Sequence, residues 1–235
     1  MCIGKWFDRR LMWLSYRNHG QRSGRQSGFT LLEALASIGV MGAISVGVFS
    51  LANQSVQDTR GSLVAMHMKT VGDAASAYIR KNYVAVQSAA SNTVPAVIRI
   101  DTLIGDGQLT VGYASQNAEG QTVCVLVLKP SATSNSLNAL VVSEGGNVTD
   151  DLSLGQIAAT IGGAGGGIYA ADTTQVKGAM SGWSVPVGNF SNSATKCNGT
   201  TGKVTLAKGH PAMALWFSDG SSVSATSVRG TTRSP

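Results

Sequence analysis

The stretch FTLLEALASIGVMGAISVGVFSLA, residues 29–52, determines how this chain is organised. From Phe29 to Gln57, the only charged residue is Glu33. As a helix, the stretch would be about 36 Å long at about 1.5 Å per residue, enough to cross a hydrocarbon core of about 30 Å. It is too long for a secretory signal, whose apolar part has roughly 7–15 residues, and no small-residue cleavage site follows it. We therefore predict a membrane-spanning helix over residues 29–52.

The basic side chains are concentrated before this helix. The chain of 235 residues has 18 Lys+Arg against 12 Asp+Glu, a net charge of +6. Residues 1–28 hold six of the basic residues and one acidic residue, so residues 29–235 are nearly neutral. A nucleic-acid-binding surface would need Lys and Arg clustered on the folded body, which excludes that function. The basic flank instead predicts a cytoplasmic N-terminus, with the body beyond the inner membrane.

Glu33 is costly in such a helix, because a charge near the membrane centre costs about 2.5–3.5 kcal/mol, although Glu33 lies nearer the cytoplasmic end. A cut between Gly28 and Phe29 would create an α-amine four residues away. Its positive charge would pair favourably with the carboxylate, within one chain or between neighbouring chains. The alternative is a lone glutamate that reaches the interface. The residues by themselves leave both possibilities open.

The run Gly28-Phe29-Thr30-Leu31-Leu32-Glu33 resembles the type III signal of type IV pilins and pseudopilins. The resemblance implies that a prepilin peptidase cuts after Gly28 and N-methylates Phe29. It also implies that Glu33 pairs with a neighbour's amine during assembly. Residues 1–28 would then be a cleaved leader, long for phenylalanine-type pilins; a start at Met12 rather than Met1 would shorten it to 17 residues.

Small residues recur at spacing four in the same helix, at Gly39, Ala43 and Gly47. Such a stripe lets helices approach closely, although glycine is also simply tolerated in membrane helices. We predict that the stripe packs against other helices in a filament core.

Residues 53–92 continue the helix in amphipathic form, to about Tyr83. One apolar face is predicted from spacing of three and four, and it consists of Val64, Met68, Val71, Ala75 and Tyr78. Charged residues lie off this face. The triplet Met66-His67-Met68 predicts a solvent-facing histidine and a core methionine rather than a metal site.

Residues 93–235 are expected to form a β-rich head with a C-terminal tail. Short runs at 97–100, 122–129, 137–143, 212–217 and 223–228 predict strands, with hairpins after residue 129 and around Asp219-Gly220. Asp101 could cap a brief helix over 102–104, and 154–161 predicts a helix ended by Gly162. The fold class is therefore α+β, a long N-terminal helix packed on an antiparallel sheet. The glycine-rich run 161–167 predicts a surface loop, and His210-Pro211 a turn.

Three cysteines are present, and Cys2 lies in the predicted leader. This leaves Cys124 and Cys197 as an even pair in an exported body. An oxidising compartment favours a disulfide between them, the alternative being two buried thiols.

No enzyme, cofactor or metal site is predicted. The run 161–167 lacks the residues of a phosphate or dinucleotide loop. Ser193-Ala-Thr-Lys196 matches the S-x-x-K pattern of acyl-serine enzymes, but the partner motifs do not follow it. A membrane-anchored hydrolase using Ser193 and Lys196 is therefore a remote alternative.

Four blocks of the head narrow the resemblance: 117–128, 139–146, 157–163 and 182–186. They are similar, in order, to the constant region of shufflon-type PilV proteins, minor pilins of conjugative thin pili. The resemblance implies a tip adhesin whose variable C-terminal segment recognises lipopolysaccharide on recipient cells. This chain ends at Arg229-Gly-Thr-Thr-Arg-Ser-Pro235, near where that segment would begin, which leaves open a truncated or unswitched form.

The implied partners are the major pilin and other pilus subunits, the prepilin peptidase and the inner-membrane assembly platform. The chain would sit in the inner membrane with its N-terminus inside, and then in an extracellular pilus. The alternative is a pseudopilin of a type II secretion system, which shares the signal.

Overall fold

The computed structural model describes residues 30–218 and 220–223. The side chains at positions 43, 45–47, 50 and 223 lie outside this description. So do the predicted leader 1–28, the Gly28–Phe29 cleavage site and residues 224–235. The sequence-based predictions for these residues are therefore not tested by the structure.

Five α-helices are described: α1 (Leu31–Lys81), α2 (Tyr83–Ala89), α3 (Ile100–Gly105), α4 (Asp151–Ile161) and α5 (Val187–Ser191). The long helix predicted from Phe29 to about Tyr83 is confirmed over the 51 residues of α1. The chain divides into two compact units between Val48 and Phe49, so α1 contributes to both. The second unit holds the sheet.

Eight strands form one sheet: β1 (Ala96–Arg99), β2 (Thr122–Leu128), β3 (Leu137–Glu144), β4 (Gly165–Tyr169), β5 (Asp172–Gly178), β6 (Ser184–Pro186), β7 (His210–Ser218) and β8 (Ser221–Val223). Their order is β1-β2-β3-β7-β4-β5-β6, with β8 paired to β7, and every pairing is antiparallel. The α+β fold is thereby confirmed, as are the predicted β2–β3 and β7–β8 hairpins.

Both faces of the central strands are buried. In β2, Val123, Val125 and Val127 join the core that α1 covers. The alternate residues Cys124 and Leu126 join a second core on the opposite face. This explains why β2 is apolar at consecutive positions, because a strand that is buried on both faces has no solvent-exposed face for polar residues.

The second half of α1 packs on the first core as its spacing predicts. Val64, Met68, Val71 and Ala75 are buried, and Tyr78 is half-buried against the same core. Gly72 lies between them, where an added Cβ would come 2.6 Å from the sulfur of Met213 on β7. A glycine here therefore lets the helix approach the sheet closely.

The glycine-rich run was predicted as a loop, and this is wrong for Gly165–Gly167. These residues begin β4, which lies inside the sheet between β7 and β5. Each position faces a crowded neighbour: Gly165 the backbone of Ala158, Gly166 the indole of Trp183, and Gly167 the side chain of Leu154. Glycine is present because packing leaves no room for a side chain at these positions. Because glycine has a low strand propensity, the sequence did not indicate a strand here.

Three smaller predictions are also wrong. His67 does not face solvent: it is half-buried, stacks on Tyr113 with ring centroids 5.0 Å apart, and places Nε2 3.0 Å from the carbonyl oxygen of Ala114. His210-Pro211 is not a turn but the buried start of β7. Asp101 does not precede α3; it lies in its first turn. For the two histidines, tertiary contacts override a local preference.

Candidate functional site

The first half of α1 carries large apolar side chains that are exposed. Ten of these side chains have an exposed fraction between 59% and 79%: Leu31, Leu32, Leu35, Ile38, Val40, Met41, Ile44, Val48, Phe49 and Leu51. They point in all directions around the helix, as in helices that are buried within a membrane or a helix bundle. Soluble monomers rarely expose contiguous apolar patches of more than a few hundred Å².

Glu33 lies in the first turn of this helix and is exposed. Its backbone N–H donates to the carbonyl of Thr30 at 2.9 Å, and its own carbonyl accepts from the Ser37 hydroxyl at 2.7 Å. The first turn is where the helix dipole favours a negative charge. Gly39 is also exposed, and an added Cβ there would meet nothing within 4 Å. The pairing of Glu33 and the packing of the stripe remain predictions.

Among the residues that the structure describes, no helix is both long and apolar enough to cross a membrane. The stretch 29–52 includes six positions whose side chains are not described, so the membrane helix over these residues stays a prediction.

The predicted disulfide between Cys124 and Cys197 is present, with the two Cα atoms 5.1 Å apart. Both residues are buried, and 73 positions separate them in sequence. Cys124 lies in β2, opposite Val142 of β3. Cys197 lies in the segment 192–209 between α5 and β7, called the disulfide loop below. The bond therefore ties this loop to the second core.

Glu144, at the end of β3, holds the same loop without a covalent bond. Its Oε2 accepts a hydrogen bond from the backbone N–H of Cys197 at 3.2 Å. Its Oε1 accepts one from the backbone N–H of Thr205 at 2.9 Å. One carboxylate thus connects both arms of the disulfide loop to the sheet. Sequence reasoning missed Glu144, because its partners are backbone groups that no motif identifies.

The loop itself is a closed turn around Cys197. Lys196 donates its N–H to the carbonyl of Thr200 at 2.9 Å, and the N–H of Thr200 donates to Asn198 Oδ1 at 3.0 Å. Ser193 is only 4% exposed, and its hydroxyl oxygen accepts from the N–H of Val204 at 2.8 Å. Ser193 therefore closes the base of the loop.

A buried polar network lies beside this loop, and sequence reasoning also missed it. Its centre is Gln121, fully buried, whose Oε1 accepts from Asn117 Nδ2 and from the Ser143 hydroxyl, both at 2.9 Å. Gln121 Nε2 donates to the carbonyl of Asn147 at 2.6 Å. Nearby, both ring nitrogens of His210 lie within 3.1 Å of backbone carbonyls. The network fixes the turn 117–121 against the start of β7.

A polar cavity of about 420 Å³ opens between the turn 117–121 and the disulfide loop, lined among others by Thr122, Glu144, Lys196, Asn198 and His210. Within residues 30–218 and 220–223, no cluster of three or more His, Cys, Asp or Glu residues could hold a metal ion.

The described residues thus combine a helix with exposed apolar side chains and an antiparallel sheet tied by a disulfide. Residues 54–227 match the family described as the bacterial shufflon protein, N-terminal constant region. Because this match covers most of the chain, the chain belongs to that family.

Its relatives include shufflon proteins A', C' and B of Escherichia coli. Each is 37% identical over 117 residues, which is 50% of this chain and 26–27% of the relative. The match thus spans about a quarter of these relatives' length. No solved structure matches the chain significantly.

Proposed function

We propose that this chain is a minor pilin of a type IV conjugative pilus, assembled through its N-terminal helix. The observation that supports this most is the set of exposed apolar side chains in the first half of α1. Burying one large apolar side chain contributes about 1.5–3 kcal/mol. Ten such side chains therefore favour insertion of the helix into a bilayer before assembly and its burial in a helix bundle after assembly. Membership of the shufflon family favours a pilus over the secretion pseudopilin.

Processing would precede assembly. Residues 1–28 would be removed by a prepilin peptidase, and Phe29 would become the N-methylated first residue. Residues 29–52 would hold the chain in the inner membrane and then line the filament core, while 53–92 and 93–235 would place the head outside. The partners would be the major pilin, other subunits and the assembly platform.

The experiment is mass spectrometry of the N-terminal peptide from protein sheared off cells with the complete pilus system. A peptide that starts at N-methylated Phe29 is expected, and it would report cleavage and surface assembly together. A protein that starts at Met1 or Met12 would contradict the proposal, because it would be a plain membrane anchor.

Glu33 would contribute to assembly by pairing with the amine of a neighbouring Phe29, an attraction that is strong in a medium of low dielectric constant. Glu33→Ala should leave cleavage intact and reduce the amount recovered in sheared filaments. Asp58→Ala is the matched control, since Asp58 is an exposed acidic residue of the same helix outside the apolar stretch. Normal filament yield for Glu33→Ala would contradict the pairing.

The stripe of Gly39, Ala43 and Gly47 would face a neighbouring helix. Gly39→Leu should reduce filament yield, because the added side chain separates the helices. Gly42→Leu is the control: Gly42 is open in the same way, but it lies about 100° around the helix from the centre of the stripe. Equal effects of the two substitutions would exclude a specific packing face.

In the pilus, the protein would support recognition of recipient cells, with lipopolysaccharide as the ligand class. A mating assay in liquid tests this with recipients that carry complete or truncated lipopolysaccharide. Deleting the gene should lower transfer, and restoring it should favour one recipient type. Equal transfer to both types with and without the protein would contradict a role in recognition.

A further inference from the structure

We propose that Glu144 is the positioning residue for the Cys124–Cys197 disulfide: its carboxylate holds Cys197 beside Cys124 before the sulfur–sulfur bond exists. The bonds of Glu144 go to backbone N–H groups of Cys197 and Thr205 and not to sulfur. They can therefore form in the dithiol protein as they do in the disulfide form.

The sheet places Glu144 where this task requires it. Glu144 lies opposite Thr122, two positions along from the Val142–Cys124 pair. Residues two apart in a strand share a face, so Glu144 and Cys124 point to the same side of the sheet. The carboxylate is a diagonal neighbour of the cysteine, a relation that spans roughly 7–8 Å between strands.

The loop around Cys197 has a defined shape of its own. Its turn is closed by the bonds of Lys196 with Thr200 and of Thr200 with Asn198, and its base by the Ser193 hydroxyl. Glu144 fixes this preformed turn to the end of β3. The Sγ atom of Cys197 is then restricted to the neighbourhood of Cys124, which raises the effective concentration of one thiol at the other.

Bond formation requires an oxidant, and a small-molecule disulfide such as oxidised glutathione provides it. Cys197 lies in the disulfide loop and Cys124 in a central strand of the sheet, so we assign the first attack on the oxidant to Cys197. The Cys197 thiolate attacks the glutathione disulfide and releases one glutathione thiol. The Cys124 thiolate then attacks Sγ of Cys197 and releases the second, so two protein thiols are oxidised and one disulfide is reduced to two thiols.

The test measures the dithiol–disulfide equilibrium of the full chain in mild detergent, in glutathione buffers, after Cys2→Ser removes the third thiol. Glu144→Ala should lower the equilibrium constant about tenfold, because the loop of the dithiol protein is then no longer held beside Cys124 and the effective concentration of the Cys197 thiol falls. Glu144→Gln, whose single carbonyl oxygen accepts from one N–H well, should give an intermediate value. Glu119→Gln is the control, because the Glu119 side chain makes no hydrogen bond within the described residues. An equilibrium constant in Glu144→Ala equal to that of the parent would overturn the proposal.

A second measurement decides the question if Glu144→Ala fails to fold. In the full chain with Cys124→Ser and Cys197→Ser, the amides of residues 197 and 205 should stay protected from hydrogen exchange while Glu144 is present. Loss of protection at both amides in this chain, which cannot form the disulfide, would overturn the proposal, since the hydrogen bonds of the carboxylate would then depend on the disulfide.

Discussion

Asp150 caps helix α4 from the position just before it. Its Oδ1 accepts hydrogen bonds from the N–H groups of Leu152 and Ser153 at 3.1 and 3.0 Å, and its Oδ2 accepts from the Ser153 hydroxyl at 2.7 Å. These bonds satisfy N–H groups that have no partner inside the helix. They also act on the charge of the side chain: the backbone N–H of Ser153 foremost, and then its hydroxyl, lower the pKa of Asp150 from 3.8.

We expect Asp150→Ala to lower the free energy of unfolding by about 1 kcal/mol at neutral pH, as for other N-cap losses. Since the folded-state pKa lies below the unfolded value, the contribution is present above about pH 4 and is lost as the pH falls through the folded-state pKa. Asp150→Asn keeps the cap without titrating. Urea unfolding at neutral and acidic pH checks this, with Asp73→Ala on the exposed side of α1 as control. Equal losses in the two alanine variants would contradict it.

Gly145 and Gly146 both have positive φ, at +71° and +67°, but only one of them is crowded. An added Cβ at Gly145 would meet nothing within 4 Å, whereas at Gly146 it would lie 2.5–2.7 Å from backbone atoms of residues 119–121. Gly145→Ala should therefore cost only the left-handed backbone penalty, about 1–2 kcal/mol. Gly146→Ala should cost at least about 1 kcal/mol more, because the turn 117–121 must move. Urea midpoints of the pair measure the difference, and equal midpoints would count against this account.

Among the elements, the turn between β5 and β6 uses residues that such a turn seldom accepts. Met180 and Ser181 have φ of +53° and +56°, and the N–H of Gly182 donates to the carbonyl of Ala179 at 3.0 Å. A turn with two positive φ values matches the twist of a hairpin and favours Asn-Gly. Met180 is 98% exposed, so its side chain contributes little packing to this unit.

The double variant Met180→Asn with Ser181→Gly should therefore stabilise the protein by about 0.5–1 kcal/mol, because Asn and Gly adopt this backbone with less strain. The Tm should rise by about 1–4 °C for a chain of this size. Thermal unfolding measures it, and Ser184→Gly in β6, where the backbone is extended, should lower the Tm instead. A lower Tm for the double variant would show that the turn is not strained.

At the scale of the whole molecule, the disulfide joins β2 to the loop that precedes β7. A cross-link between residues 73 positions apart in sequence restricts the unfolded chain, and the chain-entropy treatment assigns it about 4 kcal/mol. Reduction should therefore lower the free energy of unfolding by up to about 4 kcal/mol while the fold persists at low denaturant. Urea unfolding with and without reductant checks this against Cys2→Ser, which should change nothing. Identical midpoints in reduced and oxidised protein would contradict a stabilising bond.

Much of the fold was predictable wherever local pattern and tertiary packing agree. The apolar face of α1 between Val64 and Tyr78 was predictable because residues three and four apart lie on the same side of any α-helix. The hairpin of β2 and β3 was predictable because β2 is almost entirely apolar and β3 contains the apolar run 139–142. The helix α4 was bounded by Gly162, whose φ of +100° suits its C-terminal end.

The strands β4, β5 and β6 were not predictable in the same way. Gly165–Gly167 have no side chains to signal a strand, and the reason for them is the space that Leu154 and Trp183 require. In β5, Thr173, Thr174 and Gln175 are polar, and Val176 is the only buried residue that has a large apolar side chain. A partly exposed strand near the sheet edge has too few buried positions to show an apolar alternation.

By itself, the sequence determined the long helix, its apolar first half and the pair Cys124–Cys197, because these depend on spacing along the chain or on a count of residues. Only the tertiary structure decided that Glu144 joins the loop to β3 and that Gln121 centres a buried network. Those contacts join residues 22 to 88 positions apart in sequence. Backbone N–H groups and carbonyls are the same at every position, so their partners are chosen by the packing of the sheet and not by any local pattern.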